Sequence, residues 1–314
     1  MTSPVPFDPE LQAAYAAAGG YPGPMSADRL AAIRAEDAAE VPSLDELTRG
    51  GRFTVTERTV DTDVRLVICT PVASDGPRPW IYHTHGGGMF SGDHRIGLEV
   101  LLDEADSLGA ALVSVGYRLA PEHPHPAPID DVYAGLLWTA GRAGELGLDP
   151  DRVVIAGTSA GGGLTAALAL TVRDRGGPRV LGQLLMCPML DDRNDSASVR
   201  QMVGVDMWDR SWNGFGWSAL LGDRRGGPDV PPYAAPARAA DLSGLPPAFI
   251  DVGSAESLRD EAVDYANRLW QAGGVAELHV WAGGFHVFDW IAPEARITRA
   301  TLAARRSWLQ RVLA

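Results

Sequence analysis

Ser159 stands in Gly157-Thr158-Ser159-Ala160-Gly161, between the apolar, β-branched run Val153 to Ala156 and the Ala- and Leu-rich stretch Leu164 to Val172. The first run reads as a buried parallel strand and the second as a helix. A chain that passes from strand to helix within so few residues needs an unusual backbone at the apex. The flanking glycines leave room for it. The spacing therefore predicts a serine hydroxyl held outward at a helix N-terminus, where backbone N–H groups and the helix dipole favour developing negative charge. This is a nucleophile elbow. The glycine spacings of dinucleotide- and phosphate-binding loops are missing, which argues against a phosphate site.

A serine hydroxyl attacks only when a base takes its proton, and seven histidines compete for that role. His83 and His85 belong to a Gly-rich loop, His94 opens the next helix, His123 and His125 sit among prolines, and His279 lies inside a strand. His286 follows the last strand, after Gly283-Gly284-Phe285, on a loop that leaves the sheet at the same edge as Ser159. It is the expected base. The base in turn needs a carboxylate to fix its tautomer, and Glu256, on the loop after strand 247–252, is the candidate. Asp251 is expected within that strand, and Asp260 and Glu261 are expected as solvated charges in the first turn of the next helix. His85-Gly86-Gly87-Gly88 frees successive amides to converge on one point, as an oxyanion requires. Gly87, Gly88 and Ala160 are the expected donors. No metal site is expected, because Asp93-His94 lies too far along to complete a metal-hydrolase spacing with His83-x-His85.

These residues must be carried by a scaffold, and the hydrophobic pattern supplies one. Strands are expected at 80–84, 111–115, 153–156, 180–187, 247–252 and 277–281. They alternate with helices near 95–108, 129–146, 164–172, 258–272 and 293–313. Such alternation makes a mostly parallel sheet flanked by helices, an α/β fold. An antiparallel pair over 52–70 precedes it. Residues 1–45 read as two short helices, the first capped by Asp8 with Pro9 in its first turn, the second capped by Ser26. The catalytic domain is assigned to 46–188 and 247–314. Residues 189–246 break the rhythm as an insertion whose Trp208, Trp212, Phe215 and Trp217 are candidates to line a substrate pocket.

The 314 residues suffice for one large α/β domain with a lid, and the net charge of −13 excludes nucleic acid or anionic membrane as bulk electrostatic partners. Cys69 and Cys187 sit in apolar strand-like runs and read as small buried hydrophobes rather than a disulfide. With no basic-then-apolar leader and no membrane-length apolar run, a cytoplasmic location is expected.

The set His85-Gly86-Gly87-Gly88, Tyr117-Arg118-Leu119-Ala120-Pro121-Glu122-His123-Pro124, Gly157-Thr158-Ser159-Ala160-Gly161-Gly162 and Leu258-Arg259-Asp260-Glu261 resembles the hormone-sensitive-lipase family of α/β-hydrolase carboxylesterases, over about residues 50–312. The chain order Ser159, Glu256, His286 agrees with that fold and differs from the serine-protease orders. The resemblance implies hydrolysis of short- to medium-chain carboxylic esters without metal or cofactor, a small-molecule ester as the partner, and a cap built from residues 1–45 and 189–246. It also implies a homodimer through strand 277–281. Two positions depart from the commoner pattern. Glu256-Ser257 stands where many members have Asp-Pro, and Thr158 stands where Asp is more frequent, as in a Gly-Thr-Ser-Ala-Gly subgroup. The segment Tyr117 to Pro124 reads as scaffolding, with Arg118, Glu122, Asp130 and Asp131 as an internal charge network. Two other classes share the residues: a receptor on the same fold, as in the plant gibberellin receptors that have lost the histidine, and an amidase, lactonase or serine peptidase.

Overall fold

In the computed structural model, which describes residues 3–60, 64–73 and 76–313, the elbow strand lies at the centre of an eight-stranded sheet. The strands are β1 Phe53–Thr59, β2 Arg65–Pro71, β3 Arg78–Thr84, β4 Ala111–Gly116, β5 Leu148–Thr158, β6 Gly182–Met186, β7 Ala248–Gly253 and β8 Ala276–Trp281. Their order is β1-β2-β4-β3-β5-β6-β7-β8. β2 runs antiparallel to β1 and β4, and from β4 onward every pairing is parallel. Parallel strands place their C-terminal ends along one edge, so the loops after β3, β5, β7 and β8 emerge side by side. Those loops carry His85, Ser159, Glu256 and His286.

Side chains one apart on a strand face opposite sides of a sheet, and both sides here are buried. Trp80, Tyr82, Val153 and Ile155 belong to one core, against the helix Ala160–Arg175. Ile81, Val154, Ala156, Leu184 and Phe249 belong to the other, with Leu101 and Leu102 of helix Glu99–Leu108 and Trp308 of helix Arg296–Leu313. Polar tips that enter the core find partners: Trp80 Nε1 donates to the Asp149 carbonyl and Tyr82 Oη to that of Val132.

The N-terminal segment and the insertion pack on each other. Asp8 caps helix Pro9–Ala17 by accepting from the Glu10 amide. Ser26 makes no capping bond, and a short 3₁₀ turn, Ala27–Arg29, leads into helix Leu30–Glu40 instead. Tyr15 Oη donates to the Val205 carbonyl, Tyr21 Oη to Asp209, and Trp212 Nε1 to the Gly23 carbonyl. Asp209 also caps the insertion helix Arg210–Leu221. The expected charge network beneath Tyr117–Pro124 is divided among three neighbours. Arg118 holds Asp131, Glu122 binds Arg34 of the N-terminal helix, and Asp130 faces Arg175 at 3.7 Å. Long-range packing separates charges that lie close in sequence.

Candidate active site

At the apex, Ser159 adopts φ 57° and ψ −120°, a conformation that costs a residue with a side chain on the order of 1–3 kcal/mol. The neighbours over-determine it. Its amide donates to the Met186 carbonyl at 2.8 Å, and its own carbonyl accepts from the amides of Gly163 at 3.0 Å and Met189 at 2.9 Å. The flanking glycines are steric requirements: a Cβ on Gly157 would lie 2.2 Å from the Gly161 oxygen, and one on Gly161 would lie 2.0 Å from the Thr84 oxygen. The hydroxyl is thus carried over the first turn of helix Ala160–Arg175.

The loops after β7 and β8 bring the other two groups to it. His286 Nε2 lies 2.9 Å from Ser159 Oγ, and His286 Nδ1 lies 3.1 Å from Glu256 Oε1. A carboxylate only accepts, so Nδ1 carries the ring proton and Nε2 is left to accept from the serine hydroxyl. The second Glu256 oxygen accepts from the Gly253 amide at 2.8 Å, which fixes the carboxylate's rotation. All three residues are buried, with Ser159 exposed by 4%. Burial opposes a charge on His286, yet its pKa lies well above the ordinary 6.5, with Cys187 and Glu256 both acting to raise it. Because burial also raises the Cys187 thiol and keeps it neutral, the Glu256 carboxylate is the group that holds the imidazolium.

Above the serine, Gly87 and Gly88 turn with φ 106° and 63°. A Cβ on Gly87 would strike the Ser91 carbonyl at 2.1 Å, and one on Gly88 would strike the Trp208 ring at 2.3 Å. Among the described residues, none accepts from the amides of Gly87, Gly88 or Ala160. A cavity of about 260 Å³ opens here, bounded by Gly87, Ser159 and His286 on one side and by Pro22, Trp208 and Trp212 on the other. A larger cleft of about 450 Å³, lined by Arg65, His94, Arg118 and Glu122 among others, lies behind the Gly-rich loop and does not include Ser159.

Residues 81–289 match a family model described as alpha/beta hydrolase fold. The chain belongs to the α/β hydrolases. Carboxylesterase NlhH of Mycobacterium tuberculosis is 39% identical over 230 residues, which cover 71% of this chain and 72% of that protein. A bacterial heroin esterase superposes with a TM-score of 0.89 at 37% identity over 98% of both chains. Esterase LipW from Mycobacterium marinum superposes with a TM-score of 0.88 at 32% identity, over 99% of this chain and 98% of its own. With these similarities the hydrolase stands in the hormone-sensitive-lipase family that its motifs resemble.

The other titratable candidates of the hydrolase lie in other surroundings. Burial pushes His83 down to about 3 and His85 down to about 4; the first bonds Ser114 and the second stacks on Tyr117 at 4.2 Å. His94 is fully buried beside Asp93 at 3.2 Å. Asp251 is held by Arg305. Asp260 accepts from the Ser198 amide and pairs with Arg259. Glu261, expected in solvent, is instead buried and accepts from the Leu190 amide at 2.7 Å, because the insertion folds back over that helix. Of the four aromatics, Trp208 and Trp212 line the cavity. Phe215 packs edge-on against Phe90 with ring centroids 5.0 Å apart, and Trp217 is fully buried in the core away from the cavity.

Asp206 of the insertion carries no sequence signal, yet it braces the site. Its two oxygens accept from the His286 amide at 3.1 Å and the Ser257 amide at 3.2 Å, which clasps the loops bearing the imidazole and the carboxylate together. Burial pushes its carboxyl up to about 7. Val287, next to His286, sits at φ 52°, a strained conformation for a β-branched residue.

Proposed function

We propose that Ser159, His286 and Glu256 are the catalytic residues of a serine carboxylesterase acting on short- to medium-chain carboxylic esters. The reading is supported by relatives in Mycobacterium tuberculosis that are a carboxylesterase, NlhH, and a carboxylic ester hydrolase, LipN. The observation that carries the residue roles is the unbroken line from Glu256 through His286 to Ser159. Ser159 Oγ attacks the ester carbonyl while His286 Nε2 takes its proton. Glu256 stabilises the imidazolium, and the amides of Gly87, Gly88 and Ala160 receive the oxyanion. His286 then protonates the departing alcohol, and water enters to release the acyl group by the reverse sequence.

Residues 1–45 and 189–246 are read as one cap, since Pro22 comes from the first and Met207, Trp208 and Trp212 from the second, and all four wall the cavity. Asp206 positions the two catalytic loops from that cap. β8 forms an edge of the sheet with Val280 exposed, which supports a homodimer through this strand; the molar mass from sedimentation equilibrium tests it. Both cysteines are free thiols, in keeping with a reducing, cytoplasmic compartment. The deciding experiment is Ser159→Ala assayed with p-nitrophenyl butyrate. The expected result is a kcat/KM lower by ~10⁴-fold or more with an unchanged circular dichroism spectrum. Turnover within tenfold of the parent enzyme overturns the assignment.

A further inference from the structure

Cys187 takes no part in the proton relay, yet its thiol lies against it. Cys187 Sγ, a Glu256 carboxylate oxygen and a His286 ring nitrogen all fall within 4.8 Å of one another, and all three residues are buried. A void of about 10 Å³ adjoins this cluster, lined by Cys187 and Glu256 together with Asp251, Asp289 and Arg305. It has room for about one small ligand such as a water. Thiolate, imidazole and carboxylate form the donor set that selects zinc and its heavier congener cadmium over magnesium or calcium. Around the cluster, the carboxylates of Asp251, Asp289 and Glu256 face the Arg305 guanidinium and the His286 ring, and with that ring neutral, as a metal ligand must be, the acidic groups are in excess and the local field favours a cation. Cys187 sits directly after β6 with φ 38°, and Ser159 donates its amide to the preceding Met186 carbonyl. The thiol is therefore set by the same backbone that sets the nucleophile.

We propose that Cys187, Glu256 and His286 form an inhibitory site for a thiophilic divalent cation of the zinc class. The proposal rests on the reading of His286 as the base for its effect on turnover, and on the donor geometry alone for binding. Binding is an exchange that balances in protons. The cation takes the Nδ1 lone pair that faces Glu256, the ring proton moves from Nδ1 to Nε2 so that the imidazole stays neutral, the Cys187 thiol ionises as the metal–sulfur bond forms, and one proton leaves for solvent. Ligand distances of about 2.0–2.3 Å require the three donors to close in slightly, and a water in the adjoining void completes the tetrahedron. With Nδ1 on a cation, His286 is no longer steered toward Ser159 and cannot carry the imidazolium charge, so hydrolysis stops.

The test titrates Zn²⁺ and Cd²⁺ into the enzyme in a non-chelating buffer, with wild type, Cys187→Ala and Cys69→Ala compared. Turnover and the ultraviolet cadmium–thiolate charge-transfer band are read in parallel. Alanine keeps the Cβ that the positive φ already accommodates, and Cys69 is the remote buried thiol. Wild type and Cys69→Ala are expected to show chelator-reversible inhibition and the cadmium–thiolate band. In Cys187→Ala the band is expected to vanish and the metal concentration for half inhibition to rise by at least the ~10–100-fold that loss of even an outer-shell partner costs. Mg²⁺ and Ca²⁺ are expected to do nothing. Equal inhibition of Cys187→Ala, or a band that survives that substitution, overturns the site. Should the enzyme prove inactive on esters, the band still reports the metal site, so the two readings fail separately.

Discussion

Two buried carboxylates at the C-terminal end of β7, Asp251 and Glu256, lie five positions apart and do opposite things. Asp251 is locked by Arg305, whose Nε and Nη2 reach its two oxygens at 2.7 and 3.1 Å, while Nη1 of the same guanidinium holds Asp289 at 2.6 Å. Glu256 faces an imidazole at 3.1 Å, and that ring's far nitrogen faces a hydroxyl on the wall of a cavity. Both carboxylates are desolvated and both are paired. What separates them is the partner. A guanidinium keeps its charge at every accessible pH, so the Asp251 pair can only hold structure. An imidazole gains and loses a proton near neutrality, so the Glu256 pair can do chemistry.

The comparison is broken most directly by neutralising each carboxylate in turn. Glu256→Gln is expected to lower kcat by about 10⁴-fold, the size of effect seen when a triad acid loses its charge, with little change in melting temperature. Asp251→Asn is expected to do the reverse: kcat/KM within a few-fold, but stability lower by about 3–5 kcal/mol, because the Arg305 charge is left partly unpaired. Steady-state kinetics and urea titrations on both variants check the pair, and a reversed ranking would mean the wrong acid has been named.

Asp206 gives the next largest effect. Its carboxyl rises from an ordinary 3.8 to about 7 in the folded chain, so the fold favours the protonated form. That stability is whole below about pH 4 and is lost as pH rises through about 7. Asn cannot titrate, so the stability of wild type relative to Asp206→Asn is expected to fall by up to ~4 kcal/mol between about pH 4 and pH 8. Urea midpoints across that range measure it, and a constant difference would show that the carboxyl does not titrate in the clasp. Gly88→Ala comes next. Its Cβ would meet the Trp208 ring at 2.3 Å in a φ of 63°, displacing an amide proposed to receive the oxyanion, and kcat is expected to fall about 10²–10³-fold with KM nearly unchanged. The smallest effect is on the pH profile. kcat/KM is expected to rise with pH as the His286 imidazolium deprotonates, with a midpoint above the ordinary 6.5. In the residual activity of Glu256→Gln that midpoint is expected to move to lower pH, because the charge holding the imidazolium is gone.

Much of this was legible in the chain. The elbow, the Gly-rich loop and the histidine after β8 are local patterns whose backbone demands can be read from residue type. The strand and helix alternation follows from hydrophobic periodicity, and the parallel part of the sheet appears where expected. Where the reading differs from the structure, the cause is contact with a distant segment. Glu261 is buried because the insertion covers it, Trp217 turns into the core instead of the cavity, and Glu122 leaves its neighbours for Arg34. The short helix Phe288–Ile291, one residue past His286, has too few residues to show a period.

What the sequence by itself determined was which groups are candidates to react and the scaffold that carries them, because glycine spacing and apolar alternation act over a few residues and fold the same way wherever they occur. Only the tertiary structure decided that Asp206 clasps two loops from the insertion, that Glu261 is covered by that insertion, and that Cys187 rests against the relay. Those outcomes depend on side chains some 50 to 100 positions apart meeting in a dry space, where partner and distance, not residue type, set whether a charge is structural or reactive.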